Sequence, residues 1–298
     1  MIEIFIGFAL LASGITANKL LLATISPTFF VALRMTCAGL FLVVYHFRTS
    51  PRLRPGHMKI DILEVAICAL YTTFIPSILK AYALKYLISS KAAFLGSLDP
   101  VITALYAYFL LGETLTRNKL LGMGMAFTGT VVLLMATSCT STISAWCVIS
   151  YPELAAIIAI AISRYGWLLA QKMLKNERYM PSELNGLMML FGGCYALLAA
   201  FFIESDSLST LCFTPKFTAL FAYTVIVGNV IAYGMYATFL KNYTATFVSL
   251  VGLSVPLFVH LYGPLVIGEP LSPYFFTALS ITFCGLYIFY KDELLKKA

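Results

Sequence analysis

Asp99 is a carboxylate in the middle of an apolar run, Ala92–Leu111, directly before Pro100. An ionised side chain at the centre of a bilayer costs about 2.5–3.5 kcal/mol on insertion scales, so a position that retains one is a candidate for function. Two chemistries suit it: pairing with a cationic group of a small molecule, or taking up and releasing a proton. The plainer reading is a structural pair with an internal cation. Two cations are available for either. Arg164 stands about midway along Leu154–Ala170, in the run Ser163-Arg164-Tyr165-Gly166-Trp167. Lys80 stands near one end of Ile62–Leu84, where its long stem also lets the ammonium reach the membrane surface. A zwitterionic ligand would set its ammonium or sulfonium against Asp99 and its carboxylate against Arg164 or Lys80.

The polar and aromatic residues that accompany these charges are Asn18, Asn229, Tyr82, Tyr165, Trp167, Tyr233 and Tyr236. The amides can hydrogen-bond a ligand or a neighbouring helix. The rings offer flat surfaces, with a polar handle on tyrosine and tryptophan, and their faces attract cations. An aromatic pocket around Asp99 suits an amine, a sulfonium or a purine. Arg34 is read as structural, as is His260 one turn beyond Pro256. Tyr106, Tyr108 and Tyr290 are read as packing or interface residues. Glu113 and Glu269 close two apolar runs and share a structural or gating task.

These residues need a scaffold, and composition says which. Of 298 residues, 60% are hydrophobic and 11% charged, and the mean hydropathy is +0.90. A water-soluble domain carries about 25% charged residues, so a soluble enzyme is excluded, and the aromatic and aliphatic content excludes disorder. A membrane helix needs roughly 20 mostly apolar residues. Ten stretches qualify: Ile4–Ala23, Phe29–Phe47, Ile62–Leu84, Ala92–Leu111, Leu120–Thr137, Leu154–Ala170, Asn185–Ile203, Phe217–Leu240, Ala245–Ile267 and Tyr274–Tyr290. The expected fold is an all-α membrane protein with only short loops. No basic segment precedes the first stretch, so no cleaved signal peptide is expected.

The net charge of +7 is read as topology rather than as an affinity for nucleic acid. Thirteen Lys and Arg fall in one set of alternate loops and four in the other, which places both termini in the cytoplasm. The seven cysteines form no metal-ligand spacing. Cys37, Cys68, Cys194 and Cys284 lie in spans and read as packing residues. Cys139, Cys147 and Cys212 lie in outer loops, where one disulfide is possible. Neither a P-loop nor an HExxH or GxSxG pattern occurs. No cofactor or metal is expected.

The chain repeats itself. At a constant offset of 156, Ala81, Leu84 and Lys85 overlie Ala237, Leu240 and Lys241; Gly96 and Pro100 overlie Gly252 and Pro256; Gly112-Glu113 overlies Gly268-Glu269; Leu115 and Gly129 overlie Leu271 and Gly285. An offset of about 154 matches Pro27 with Pro181 and Gly39 with Gly193. Five spans per copy is an odd number, so the second copy, 141–298, must enter the membrane inverted relative to the first, 1–140. Inverted repeats are a construction of secondary transporters. Pro100 and Pro256, placed mid-span, each remove a backbone hydrogen bond and free the carbonyls of Gly96 and Gly252. The fourth and ninth spans are therefore expected to bend and to line a central cavity, since freed carbonyls are tolerated only against protein or water.

The segments Tyr82-Ala83-Leu84-Lys85-Tyr86, Ala92-Ala93-Phe94-Leu95, Leu98-Asp99-Pro100 and Phe109-Leu110-Leu111-Gly112-Glu113 carry a pattern that ends with Gly122 and Gly129. The second copy reads Leu253-Ser254-Val255-Pro256, Val266-Ile267-Gly268-Glu269 and Gly285, and Phe30-Val31-Ala32-Leu33-Arg34 opens the second span. This resembles the EamA pattern of the drug/metabolite transporter superfamily over nearly the whole chain. The resemblance implies ten helices in two EamA domains, in a bacterial inner membrane. It further implies a cavity lined by the first, third, fourth, sixth, eighth and ninth helices, and small organic substrates such as amino acids, amines, nucleotide derivatives or S-adenosylmethionine.

The expected function is alternating-access transport of a small polar metabolite, coupled to protons or to an exchanged substrate. A channel-like facilitator is the alternative, and a membrane enzyme a remoter one.

Overall fold

A computed structural model of the chain describes residues 2–49, 61–87, 95–113, 116–137, 150–203, 214–266 and 274–295. All regular structure among the described residues is helical. The helices are α1 (Ile2–Leu22), α2 (Pro27–Thr49), α3 (Ile62–Tyr86), α4 (Asp99–Leu111), α5 (Arg117–Thr137) and α6 (Tyr151–Lys175). There follow α7 (Pro181–Ile203), α8 (Pro215–Asn242), α9 (Ala245–Val251), α10 (Ser254–Val266) and α11 (Phe275–Leu295). Among the described residues, seven helical stretches are long and apolar enough to cross a membrane: α1, α2, α3, α6, α7, α8 and the run Ala245–Tyr262. Asp99–Leu111 and Phe275–Lys291 are shorter and equally apolar in character. Phe109, Phe201, Phe202, Ile203 and Phe276 are each at least two-thirds exposed. Such a girdle would aggregate in water and is natural against lipid.

Local sequence starts the helices. Pro27, Pro181 and Pro215 open α2, α7 and α8, where the missing N–H is one that a first turn leaves unpaired anyway. The Thr214 and Thr244 hydroxyls accept the backbone N–H of Phe217 (3.2 Å) and Phe247 (3.3 Å). Ser150 and Glu153 form a reciprocal capping box at the head of α6.

Glycines bring helices together. A Cβ on Gly39 of α2 would sit 2.5 Å from the Leu190 backbone nitrogen of α7. Gly193 of α7 is as tightly set against Thr36 of α2, and Gly122 of α5 against Gly285 of α11. Without a hydrophobic force between helices in lipid, this close backbone approach and the dispersion it yields hold the bundle. Cys68 is buried, but Cys37, Cys194 and Cys284 are exposed, a correction to their reading as packing residues. Helices in lipid carry apolar side chains all round, so composition alone does not tell an inward face from an outward one. Cys139, Cys147, Cys212 and Glu269 lie outside the described residues.

The prolines require a second correction. Pro100 does not kink a continuous helix; it lies in the first turn of α4, after a turn at Ser97 and Leu98 that breaks the span. Pro256 likewise lies in the first turn of α10, behind a break at Gly252 and Leu253. Tight turns bridge both breaks: Leu98 N donates to Leu95 O at 3.1 Å, and Leu253 N to Leu250 O at 3.0 Å. A proline is tolerated in a first turn and disruptive in an interior, so the chain restarts its helix around it. Two further irregularities are π-helical: Leu70–Phe74 within α3 and Thr224–Ala232 within α8.

Candidate substrate site

The restart at Asp99 puts its carboxylate in the first turn of α4, where the helix dipole favours an anion. Opposite stands Arg164, on a face of α6 that also carries Ile160, Ser163, Trp167, Leu168 and Gln171, all buried. That spacing of three and four residues is one helical stripe. Gly166 lets this stretch of α6 lie against the backbone of Tyr71 and Thr72 in the π-helical part of α3, which a Cβ would meet at 2.7–2.8 Å.

Arg164 Nε lies 2.7 Å from Asp99 Oδ1. The approach is out of line with the N–H, so the two form a charge contact without a directed hydrogen bond. The other arm of the guanidinium, Nη1, donates to the Tyr236 hydroxyl at 2.6 Å. A planar fork is what allows one arginine to hold a carboxylate and a phenol at once. Lys80 Nζ reaches Ser163 Oγ at 3.5 Å and feels the charges of both Arg164 and Asp99, yet keeps accessible surface. Gly96, just ahead of the break, is exposed with nothing within 4 Å of a Cβ built on it.

Aromatic rings wall the cluster. Trp167 and Tyr233 stack nearly parallel, with centroids 6.0 Å apart and planes at 8°. Tyr236 sets its edge to Trp167 at 4.8 Å and to Phe8 of α1 at 6.1 Å. Tyr165, 37% exposed, instead meets Tyr71 at 5.5 Å and Tyr106 at 6.3 Å. Six of the residues expected from sequence thus come together: Asp99, Arg164, Lys80, Trp167, Tyr233 and Tyr236.

Four do not join them: Tyr165, Tyr82, Asn18 and Asn229. Tyr82 is 36% exposed and packs on Tyr86 at 4.8 Å, which takes it out of the cluster. It is two residues from Lys80, and a helix turns that step to the opposite side. Asn18 and Asn229 lie on α1 and α8, each with a buried Oδ1 that has no hydrogen-bond partner. Asn229 Nδ2 contacts Met35 Sδ at 3.4 Å.

Sequence reading missed Phe8 and the role of Ser163. Only Ser163 had a local signal, its place beside Arg164. Glu113 accepts a hydrogen bond from the Thr246 hydroxyl at 2.6 Å, which ties the end of α4 to the short helix α9. No cluster of His, Cys, Asp and Glu fit to hold a metal occurs among the described residues.

An all-helical bundle with membrane-length apolar helices, and a charged, aromatic-lined cluster between them, defines a polytopic membrane protein. The sequence profile described as the EamA-like transporter family matches residues 1–135 and again 150–291. The chain belongs to that family and is a membrane transporter. It is 28% identical to an S-adenosylmethionine/S-adenosylhomocysteine transporter of Chlamydia muridarum, over 97% of this chain and 91% of the relative. It is 28% identical to a transporter of the same description from Chlamydia trachomatis serovar L2, over 97% of this chain and 88% of the relative. A crystal structure at 17% identity superposes with a TM-score of 0.75, covering 97% of this chain and 96% of that one, and supports the fold alone.

Proposed function

We propose that the chain carries S-adenosylmethionine, and S-adenosylhomocysteine in exchange, across a bacterial inner membrane by alternating access. The observation that carries the reading is the contact of Asp99 with Arg164 and Tyr236 beside the Trp167–Tyr233 stack. Asp99 supplies the partner for a sulfonium or ammonium, Arg164 and Lys80 are the nearby cations for a carboxylate, and the rings suit an adenine. The two chlamydial relatives bear the name of this substrate pair, which supports it.

The architecture proposed with it is ten spans in two inverted copies, 1–140 and 141–298, with both termini cytoplasmic. Three features of the fold support the repeat. The offset of 156 carries the break before Pro100 onto that before Pro256, and residues 70–74 onto 226–230 inside the second π-helical stretch. The equivalent helices α2 and α7 pack on each other, as do α5 and α11. Broken helices facing a central site are how such carriers bind polar ligands at mid-membrane depth.

The test is counterflow. Purified protein in liposomes loaded with unlabelled S-adenosylhomocysteine should accumulate labelled S-adenosylmethionine transiently above equilibrium. Uptake without such an overshoot, and without saturation, would mark a channel instead.

A further inference from the structure

Arg34, in α2, is a buried cation with no counterion among the described residues. It is 8% exposed, and its guanidinium lies 5.2 Å over the ring of Phe30. Its Nε is fully buried and has no hydrogen-bond partner. Five of the described carboxylates are engaged elsewhere: Asp99 with Arg164, Glu183 near His46 at 3.8 Å, Glu64 with Arg178, Glu177 with Lys241 and Glu113 with Thr246. Arginine does not shed its proton in a protein, so the charge cannot be neutralised that way. A ring face compensates a desolvated cation only partly. A buried charge without a partner is strongly unfavourable, which leaves Arg34 poised for an anion that arrives from outside.

Its surroundings point toward the site. Tyr233, the ring stacked on Trp167, also packs against the buried cluster that holds Phe30 and Met35, the residues flanking Arg34 in α2. The next residue, Met35, touches Asn229, whose Oδ1 is a second buried polar atom without a partner. An arginine lacking an acceptor and an asparagine lacking a donor thus lie along neighbouring faces of α2 and α8. Arg164, by contrast, already holds Asp99 and Tyr236.

We infer that Arg34 is the carboxylate anchor of this transporter's substrate site, making the preferred ligand a zwitterion rather than a simple amine. The assignment rests on the site proposed above and changes it in one respect, moving the carboxylate from Arg164 or Lys80 to Arg34. The Asn229 amide oxygen is then placed to accept an N–H or O–H beside that carboxylate.

The test compares S-adenosylmethionine with its decarboxylated form as competitors of labelled S-adenosylmethionine, using wild type, Arg34→Met, Arg34→Lys and Arg164→Gln. A charge-assisted hydrogen bond corresponds to roughly tenfold or more in affinity, so wild type should prefer the carboxylate form by at least that factor. Arg34→Met should erase the preference and Arg34→Lys restore part of it, while Arg164→Gln retains it. A preference that survives Arg34→Met, or is lost only in Arg164→Gln, overturns the assignment. Melting of ligand-free protein reads the same point without a substrate. Replacing an uncompensated charge by an apolar side chain of similar length should leave the melting temperature equal or higher. A clear fall would make Arg34 a structural residue and also overturn the assignment. If wild type binds neither adenosyl compound, the substrate reading falls separately. The preference is then read from arginine against agmatine and methionine against 3-(methylthio)propylamine, and no preference in either pair overturns it.

Discussion

Arg164 Nε and Asp99 Oδ1 lie 2.7 Å apart, joining the middle of α6 to the first turn of α4 where the fourth span is broken. The Asp99 side chain keeps 24% of its surface and that of Arg164 10%, so the pair is enclosed but still reachable. Asp99→Asn removes the charge and keeps the shape. Uptake of S-adenosylmethionine should fall to background while expression persists. Partial exposure reduces the stability cost to about 1–3 kcal/mol, below that of a dry pair. The double variant Asp99→Asn with Arg164→Gln should regain melting temperature but not uptake. Normal uptake by Asp99→Asn would remove Asp99 from the site.

Tyr236→Phe tests the second arm of Arg164. It deletes the 2.6 Å hydrogen bond and keeps the ring contacts with Trp167 and Phe8. A hydrogen bond to a charged group contributes about 1.5–3 kcal/mol, so KM should rise roughly tenfold or more. Trp167→Ala, which removes the stack on Tyr233, should be the more damaging change. Initial-rate uptake over a range of concentrations measures both.

Helix α5 offers a matched pair of glycines. A Cβ on Gly122 would sit 2.7 Å from the Gly285 carbonyl and 2.9 Å from the Phe289 amide, backbone atoms that cannot rotate aside. One on Gly124 would meet nothing within 4 Å. Gly122→Ala should lower the melting temperature by several degrees, since small-residue contacts are what hold helices together in lipid. Gly124→Ala should leave it unchanged. Equal effects in a thermal melt would contradict this packing.

Glu113 and Thr246 form a junction outside the charged cluster. A double-mutant cycle with Glu113→Gln and Thr246→Val should show coupling of about 1 kcal/mol in stability. The exchange rate should slow with little change in substrate affinity, as the bond ties the end of one broken span to the start of the other. A change confined to affinity would instead place the junction within the site.

How legible the site was depended on the residue. Asp99 and Arg164 stood out because charge is rare in apolar runs, but Lys80 and Arg34 share that rarity, so which cation meets Asp99 was not legible. Tyr82 did not, because a ring in an apolar helix packs equally well outward or inward. The prolines marked the right places but the wrong form, since an interior proline and a first-turn proline have the same local sequence. Arg34 reads as structural from sequence, and only the fold shows that no counterion faces it among the described residues: a missing counterion is a property of space rather than of spacing.

Sequence alone determined that this is an α-helical membrane protein of two related halves, with few charges left in its apolar runs. Those properties follow from composition, from the length a helix needs to cross a bilayer, and from a repeated Gly-Pro-Gly-Glu register. Tertiary structure decided which charges meet. In lipid the outer surface is as apolar as the interior, so the facing of each helix is set by backbone approach at glycines such as Gly166 and Gly39, and by the breaks before Pro100 and Pro256. Those contacts bring Asp99 onto Arg164 and leave Arg34 over the Phe30 ring with no counterion among the described residues.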